Sequence, residues 1–332
     1  MSNVKIGVVG CGRIGKLHIN NLINSVPGVQ VVAAADPMLD KSGAREWLAE
    51  RKITNVSTDF IDVISNPVVD VVFVCSSTDT HCDVSMAAVN AGKHVFCEKP
   101  IDYDIEKIKK LLALVEEKGV KFQVGFNRRF DPSSAAARAA VEAGRLGDIE
   151  QPTIVRRDPA APPAEYIKVS GGIFRDMTIH DFDTARFFLG EIEEVYAAGQ
   201  NLDPALKDTG DFDAAVVTLK AASGAVATII NNRHCSSGYD QRLEASGREG
   251  ALFAENIRAT TVRLSNGEVT DAQEPYLDFF LERYADAYRI ELTSFIDAVN
   301  GGTKPLPGIK DAIEALRLAE AATESVATGK VV

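Results

Sequence analysis

The sequence predicts an α/β protein, with an N-terminal doubly wound parallel sheet of Rossmann type and a C-terminal α+β domain built on a large, mostly antiparallel open sheet. Three observations predict it. Residues 4–36 read as strand, glycine-rich turn, helix and a second strand ending in an acid. Apolar β-branched runs then alternate with amphipathic helical patterns to about residue 125. Beyond that point, short strand-like runs succeed one another with turn residues between them.

The first strand, residues 4–9, runs into Gly10-Cys11-Gly12-Arg13-Ile14-Gly15, which opens a helical stretch through Leu22. The three glycines act differently. Gly10 permits the tight turn, Gly12 lets backbone approach a pyrophosphate, and Gly15 lets the helix pack closely. Phosphates at such a helix start meet unpaired N–H groups and the positive end of the dipole. The second strand, residues 29–35, ends at Asp36, placed to accept hydrogen bonds from an adenosine ribose. An acid there repels a 2′-phosphate, which favours NAD over NADP; Arg13 leaves some NADP tolerance open. Further strands are expected at 69–75, 95–97 and 121–125, with helices at 82–91 and 105–118. Sites in such sheets lie beyond the carboxyl ends of the strands. The expected cofactor set is therefore Gly10, Cys11, Gly12, Arg13, Ile14, Asp36, Ser76, Ser77, Thr78, His81, Glu98, Lys99 and Asn127.

In the second half, strands are expected at 153–156, 195–199, 214–219, 225–231, 242–246, 250–255 and 260–264, with turns at Ala222-Ser223-Gly224 and Ser265-Asn266-Gly267. Helices are expected at 175–189, 282–300 and 309–328, the last two packing back on the rest of the chain. The division is 1–125 for the NAD-binding domain and 126–332 for substrate binding and oligomerisation.

With 332 residues, the chain is long enough for more than one core. A net charge of −11 argues against nucleic acid or an anionic membrane as partner, since either requires overcoming long-range repulsion. No apolar run approaches a membrane span, and MSNVKIGVVG enters a strand without a cleavable apolar segment, which together predict a cytoplasmic protein. The five cysteines, Cys11, Cys75, Cys82, Cys97 and Cys235, are scattered and odd in number, predicting no disulfide framework; no clustered ligand pattern predicts a metal.

Asp176, His180 and Asp183 are spaced four and three apart, so on one helix they share a face. An acid one turn before a histidine orients the imidazole and stabilises its protonated form, the arrangement of a general base with its partner. Spacing alone leaves open an ordinary polar face with a structural histidine. Lys99 comes after the strand at 95–97, where its ammonium would steady a developing alkoxide; the alternative is a surface pair with Glu98. His18 and His94 read as structural.

These motifs resemble those of the Gfo/Idh/MocA oxidoreductases over nearly the whole chain: Gly10 to Gly15, Glu98-Lys99-Pro100, Gly125-Phe126-Asn127-Arg128-Arg129-Phe130-Asp131, and Gly171-Gly172 with Asp176, His180, Asp181 and Asp183 after them. The resemblance implies Lys99, Asp176 and His180 as the catalytic set. Within the family, the Gly125–Asp131 segment, Arg157-Asp158-Pro159, Gly238-Tyr239-Asp240-Gln241 and residues 283–288 look most like bacterial inositol 2-dehydrogenases. That likeness implies NAD-dependent oxidation of myo-inositol at a secondary hydroxyl. It places Lys99, Arg129, Asp158, Asp176, His180, Asp183 and Tyr239 around the substrate, and it implies a homotetramer. Asp158 departs from the asparagine of some relatives and Arg156 beside it is bulky; both bear on epimer preference. The same chemistry on scyllo- or D-chiro-inositol or an aldose, and a non-catalytic NAD-binding sensor, are the alternatives.

Overall fold

The computed structural model describes residues 3–332; Met1 and Ser2, at the start of the segment expected to lack a leader, lie outside them. The chain divides into two units, one holding everything up to Phe130 together with Asp286–Leu316, the other Asp131–Ala285 with Arg317–Val332.

The first unit is built on six strands, β1 (Val4–Val9), β2 (Val29–Ala35), β3 (Val56–Ser57), β4 (Val71–Val74), β5 (His94–Cys97) and β6 (Phe122–Val124), in the order β3-β2-β1-β4-β5-β6. Every pair is parallel. The central strand β4 is buried at all four positions, which is why it reads as an unbroken apolar run rather than an alternating one. Helices α1 (Arg13–Ser25), α2 (Ala44–Glu50), α3 (Phe60–Ile64), α4 (Thr78–Asn90) and α5 (Ile105–Lys118) make the crossovers. The ends of α5 show the local logic. Asp104 accepts hydrogen bonds from the N–H groups of Glu106 (2.9 Å) and Lys107 (3.3 Å), and Gly119 stops the helix at φ +63°. Strand order reverses between β1 and β4, so the loops after these strands, carrying Gly10 and Ser76, flank the switch point at which such sheets bind ligands.

The second unit holds α6 (Pro132–Glu142), β7 (Ile149–Arg157), α7 (Ala164–Ser170), α8 (Ile179–Leu189), β8 (Ile192–Gln200), β9 (Ala214–Ala221), β10 (Val226–Asn232), β11 (Asp240–Gly247) and β12 (Gly250–Ala254). Its sheet order is β12-β11-β7-β10-β9-β8, antiparallel except for the central β7–β10 pair. Burial alternates along β9 and β10, so one face forms a core of Val217, Leu219, Ala227 and Ile229 with Phe182 and Ala185 of α8. Each large aliphatic side chain sunk there contributes about 1.5–3 kcal/mol. The strands β13 (Arg263–Leu264) and β14 (Ala272–Gln273) form a small separate ribbon, and α9 (Phe280–Arg283), α10 (Ala285–Val299) and α11 (Ile309–Thr328) complete the chain. Leu292, Phe295 and Ile296 of α10 join the first unit's core, around Phe73 and Phe96. At the other end of the chain, Ser325 of α11 bonds the N–H of Ala197 at 2.9 Å, and Val332 pairs with Val195 in both directions, all within the second unit.

Three expected elements differ. The helix expected at 175–189 begins as a π-helical turn, Phe174–Thr178, and becomes α-helical only at Ile179. The strand expected at 260–264 shrinks to the exposed two-residue β13, because nothing apolar covers it. The helix expected at 282–300 breaks at Tyr284, whose backbone leaves the helical region. No helix among the described residues is long and apolar enough to cross a membrane.

Candidate active site

The glycine turn after β1 is built around its missing side chains. Gly10 adopts φ +94°, and a Cβ there would lie 2.4–2.5 Å from the backbone of Cys75 and Ser76, so only glycine fits. A Cβ on Gly15 would meet the carbonyl of Gly10 at 2.0 Å, so the helix can sit this close only without one. Gly12 is the opposite case: it precedes α1, no side chain caps the helix, and a Cβ would meet nothing within 4 Å. The open space at an uncapped helix start fits a pyrophosphate. Asp36 is fixed beside it by the N–H groups of Cys11 and Met38, both at 2.7 Å, with lone pairs left for ribose hydroxyls. Burial, reinforced by the negative charge of Asp36, pushes the Cys11 thiol up to about 12, so it is an inert packing group. Arg13 is exposed, and Ile14 packs against the core.

Around the switch point, Ser76 shares a hydrogen bond with Thr80 (2.7 Å), and Ser77 and Thr78 open α4. His81 is 2% exposed, its ring nitrogens 2.8 Å from the carbonyl of Pro100 and 3.0 Å from that of Ser76, so it ties the two loops together. Glu98 is not the surface partner of a lysine. It lies buried, 2.7 Å from His18, and accepts the N–H of Lys99 at 3.3 Å. His18 is itself fully buried among Phe73, Phe96 and Tyr288, so it is structural and at the same time holds the Glu-Lys-Pro loop. Lys99 stays partly exposed at the carboxyl end of β5. Asn127 lies in a 3-10 turn after β6, and its buried side-chain nitrogen has no hydrogen-bond partner among the described residues. An orphaned donor of this kind and the open Gly12 cradle both fit a bound dinucleotide. Arg129 pairs with Asp311 at 2.9 Å.

In the second unit, Gly171 (φ +82°) and Gly172 (φ +85°) turn the chain sharply after α7. The π turn beyond them carries Asp176, and His180 stands in the first turn of α8. Both are partly exposed, whereas Asp183, expected on the same face, is 1% exposed. Asp183 keeps its three-residue helical spacing to His180 within α8, and it is Asp176, carried by the π turn, that is rotated relative to both. Asp176 Oδ1 accepts from the Tyr166 hydroxyl at 3.1 Å. Beneath His180, Asp181 is fully buried and takes the Asn231 amide at 2.8 Å, with Arg156 3.4 Å away. Arg156 also donates to the carbonyl of Arg242 at 2.6 Å, so this bulky side chain is committed to the base of the site. Asp158 lies beyond β7, its N–H bonded to the carbonyl of Asn232. Tyr239 is 4% exposed, edge-on to Phe279 and Tyr284.

Gly10 to Asp36, the Ser76 loop and the Glu98–Lys99 loop thus meet at one sheet edge of the first unit, while Asp176 in the π turn and His180 at the start of α8 belong to the second. Sequence reasoning missed Tyr166, Asn231 and the His18–Glu98 pair. Only Asn231, a polar residue at an inward strand position, left a sequence signal. No group of side chains among the described residues is arranged to hold a metal ion.

Comparison with known proteins adds two domain matches. Residues 4–126 match the Gfo/Idh/MocA profile, described as an oxidoreductase family with an NAD-binding Rossmann fold, and residues 134–253 match the C-terminal domain of the same group. An inositol 2-dehydrogenase of Rhizobium meliloti is 44% identical over 327 residues, 98% of this chain and 97% of the relative. A myo-inositol dehydrogenase structure from Corynebacterium glutamicum superposes with TM-score 0.93 at 44% identity, covering 99% of this chain and 98% of that one. A Lactobacillus casei scyllo-inositol dehydrogenase, solved with NAD(H) and scyllo-inositol, gives 0.91 at 31% identity and covers 100% and 99%.

Proposed function

The chain belongs to the Gfo/Idh/MocA oxidoreductase family, and from that premise we propose that it oxidises one secondary hydroxyl of myo-inositol to the ketone, 2-keto-myo-inositol. It is an NAD-dependent oxidoreductase. The observation that carries the substrate reading is a built dinucleotide turn in the first unit, with Asp176 and His180 in the second, in a chain matched end to end by inositol dehydrogenases.

The bound nicotinamide supplies the hydride acceptor. His180 removes the hydroxyl proton, and Asp176 orients it and balances the charge it acquires. Lys99 stabilises the developing alkoxide, an electrostatic contribution that is larger in a water-poor site than in solution. Arg129, Asp158, Asp183 and Tyr239 select the ring's hydroxyl pattern, since an unmatched hydroxyl leaves a polar group without a partner. Gly10, Cys11, Gly12, Arg13, Ile14, Asp36, Ser76, Ser77, Thr78, His81, Glu98 and Asn127 hold the dinucleotide. The chain functions in the cytoplasm as a homotetramer. The outer face of the second sheet supports this assembly, because Tyr196, Val216, Val226 and Phe253 expose 42–66% of their surface there and a second copy would cover them. Light scattering of a Val216→Asp variant should then read a smaller particle than the parent.

The test is NADH formation with myo-inositol beside scyllo-inositol, D-chiro-inositol, glucose and xylose, repeated with NADP. Fastest turnover is expected with myo-inositol and NAD. Activity confined to scyllo-inositol would keep the mechanism and replace the substrate, whereas tight NAD binding without any product would favour a sensor.

A further inference from the structure

Arg233, immediately after β10, is 1% exposed, an unusual position for so large a cation. Its Nη1 donates to Asp211 Oδ2 at 2.8 Å and to the carbonyl of Phe212 at 3.4 Å. The other oxygen of Asp211 accepts the N–H of Ile173 at 2.9 Å, just where the chain enters the π turn. Arg233 Nη2 has no hydrogen-bond partner among the described residues and lies 4.0 Å from Asp176 Oδ2, beyond hydrogen-bond reach but within that of an ion pair. A buried guanidinium needs carboxylate company, and here one of its two acids is the residue read as catalytic.

The opposite end of the same turn is gripped from the same strand. Asn231, two residues before Arg233, accepts from the Thr178 hydroxyl at 2.5 Å and donates to Asp181 at 2.8 Å. A π turn is a single-turn irregularity, often found at functional sites, and here groups from outside the helix hold both of its ends. The end of β10 supplies braces on both sides, and that of Arg233 faces Asp176 itself. The Tyr166 hydroxyl donates to Oδ1 of Asp176, and the guanidinium stands on the side of Oδ2. Hydrogen bonds at catalytic groups often tighten only with substrate in place, and a small shift would close the gap.

We propose that Arg233 is a positioning residue for the oxidation, acting through Asp176, whose carboxylate it orients and whose charge it balances, with Asp211 as the strut that fixes both Arg233 and the start of the turn. This rests on the reading of Asp176 as partner of His180. The double variant Arg233→Met/Asp176→Asn provides the readout, because residues acting through one another are non-additive.

Kinetics with NAD and myo-inositol on the full chain are expected to show that Arg233→Met lowers kcat about 100-fold and leaves the NAD dissociation constant within about 2-fold, while Arg233→Lys recovers about 10-fold of that loss. On an Asp176→Asn background, Arg233→Met should change kcat less than about 3-fold. An equal loss on both backgrounds, or loss of NAD binding together with kcat, would overturn the proposal by showing a merely structural role. If Arg233→Met does not fold, the same cycle is run with Arg233→Lys, whose own loss should vanish beside Asp176→Asn; persistence overturns the proposal equally. His180→Ala, assayed in parallel, separates the two readings: if it turns over normally the catalytic assignment fails, and if it is inactive while the cycle is additive only the role of Arg233 fails.

Discussion

His180→Ala is expected to lower kcat for polyol oxidation by about 10³–10⁴-fold, at the upper end of what a positioned general base contributes. That corresponds to about 4–5.5 kcal/mol of transition-state stabilisation, since a factor of ten is about 1.4 kcal/mol. The loss should be specific to turnover. His180 belongs to the second unit, whereas the glycine turn and Asp36 belong to the first, so NAD titration should give a dissociation constant within about 2-fold of the parent. Stability should also survive, because His180 is partly exposed and the bonds that hold its turn run through Thr178 and Asp181 instead. Retained turnover in this variant would remove His180 from the mechanism.

Gly10→Ala should have the largest effect on the fold. The new methyl would sit within 2.5 Å of the backbone of Cys75 and Ser76, atoms of the neighbouring β4 loop that cannot step aside as a flexible side chain would. The left-handed backbone adds strain for any residue with a Cβ. Strain of about 1–3 kcal/mol and overpacking of similar size predict a total loss of about 2–6 kcal/mol. In a unit of this size that lowers Tm by about 4–24 °C, measurable by calorimetry. Gly12→Ala is the matched control. Its methyl meets no protein atom within 4 Å, so Tm should stay unchanged while NAD affinity falls about 10-fold or more, because the methyl occupies the space through which backbone approaches the pyrophosphate. If Gly12→Ala bound NAD normally, the cofactor would lie elsewhere.

These two glycines also show how much is legible in a sequence. The first unit could be read almost element by element because the information is local: strand, turn, helix and acid come in succession within residues 4–36, and the role of each glycine depends on atoms nearby in chain or sheet. The four-residue spacing of Asp176 and His180 was legible. The turn that carries Asp176 was not, since no residue within Phe174–Thr178 marks a π turn, and its braces come from Asp211, Asn231 and Arg233, more than thirty residues downstream. Distance along the chain hid the His18–Glu98 pair as well, its members being 80 positions apart. His18 looked structural, and it is, but only the packing of α1 against the sheet reveals that it supports the loop of Lys99. Arg156 was legible only as a bulky neighbour of Asp158. The strand turns its side chain inward, to 3.4 Å from Asp181.

The most direct measurement is to incubate the protein with NAD and myo-inositol deuterated at its axial carbinol carbon, then to analyse the reduced cofactor by mass spectrometry. The account predicts that the label appears in the reduced cofactor, that the sugar product is the ketone at the same carbon, and that both disappear in His180→Ala. Reduced cofactor without label, or product oxidised at a different carbon, would contradict oxidation of that hydroxyl.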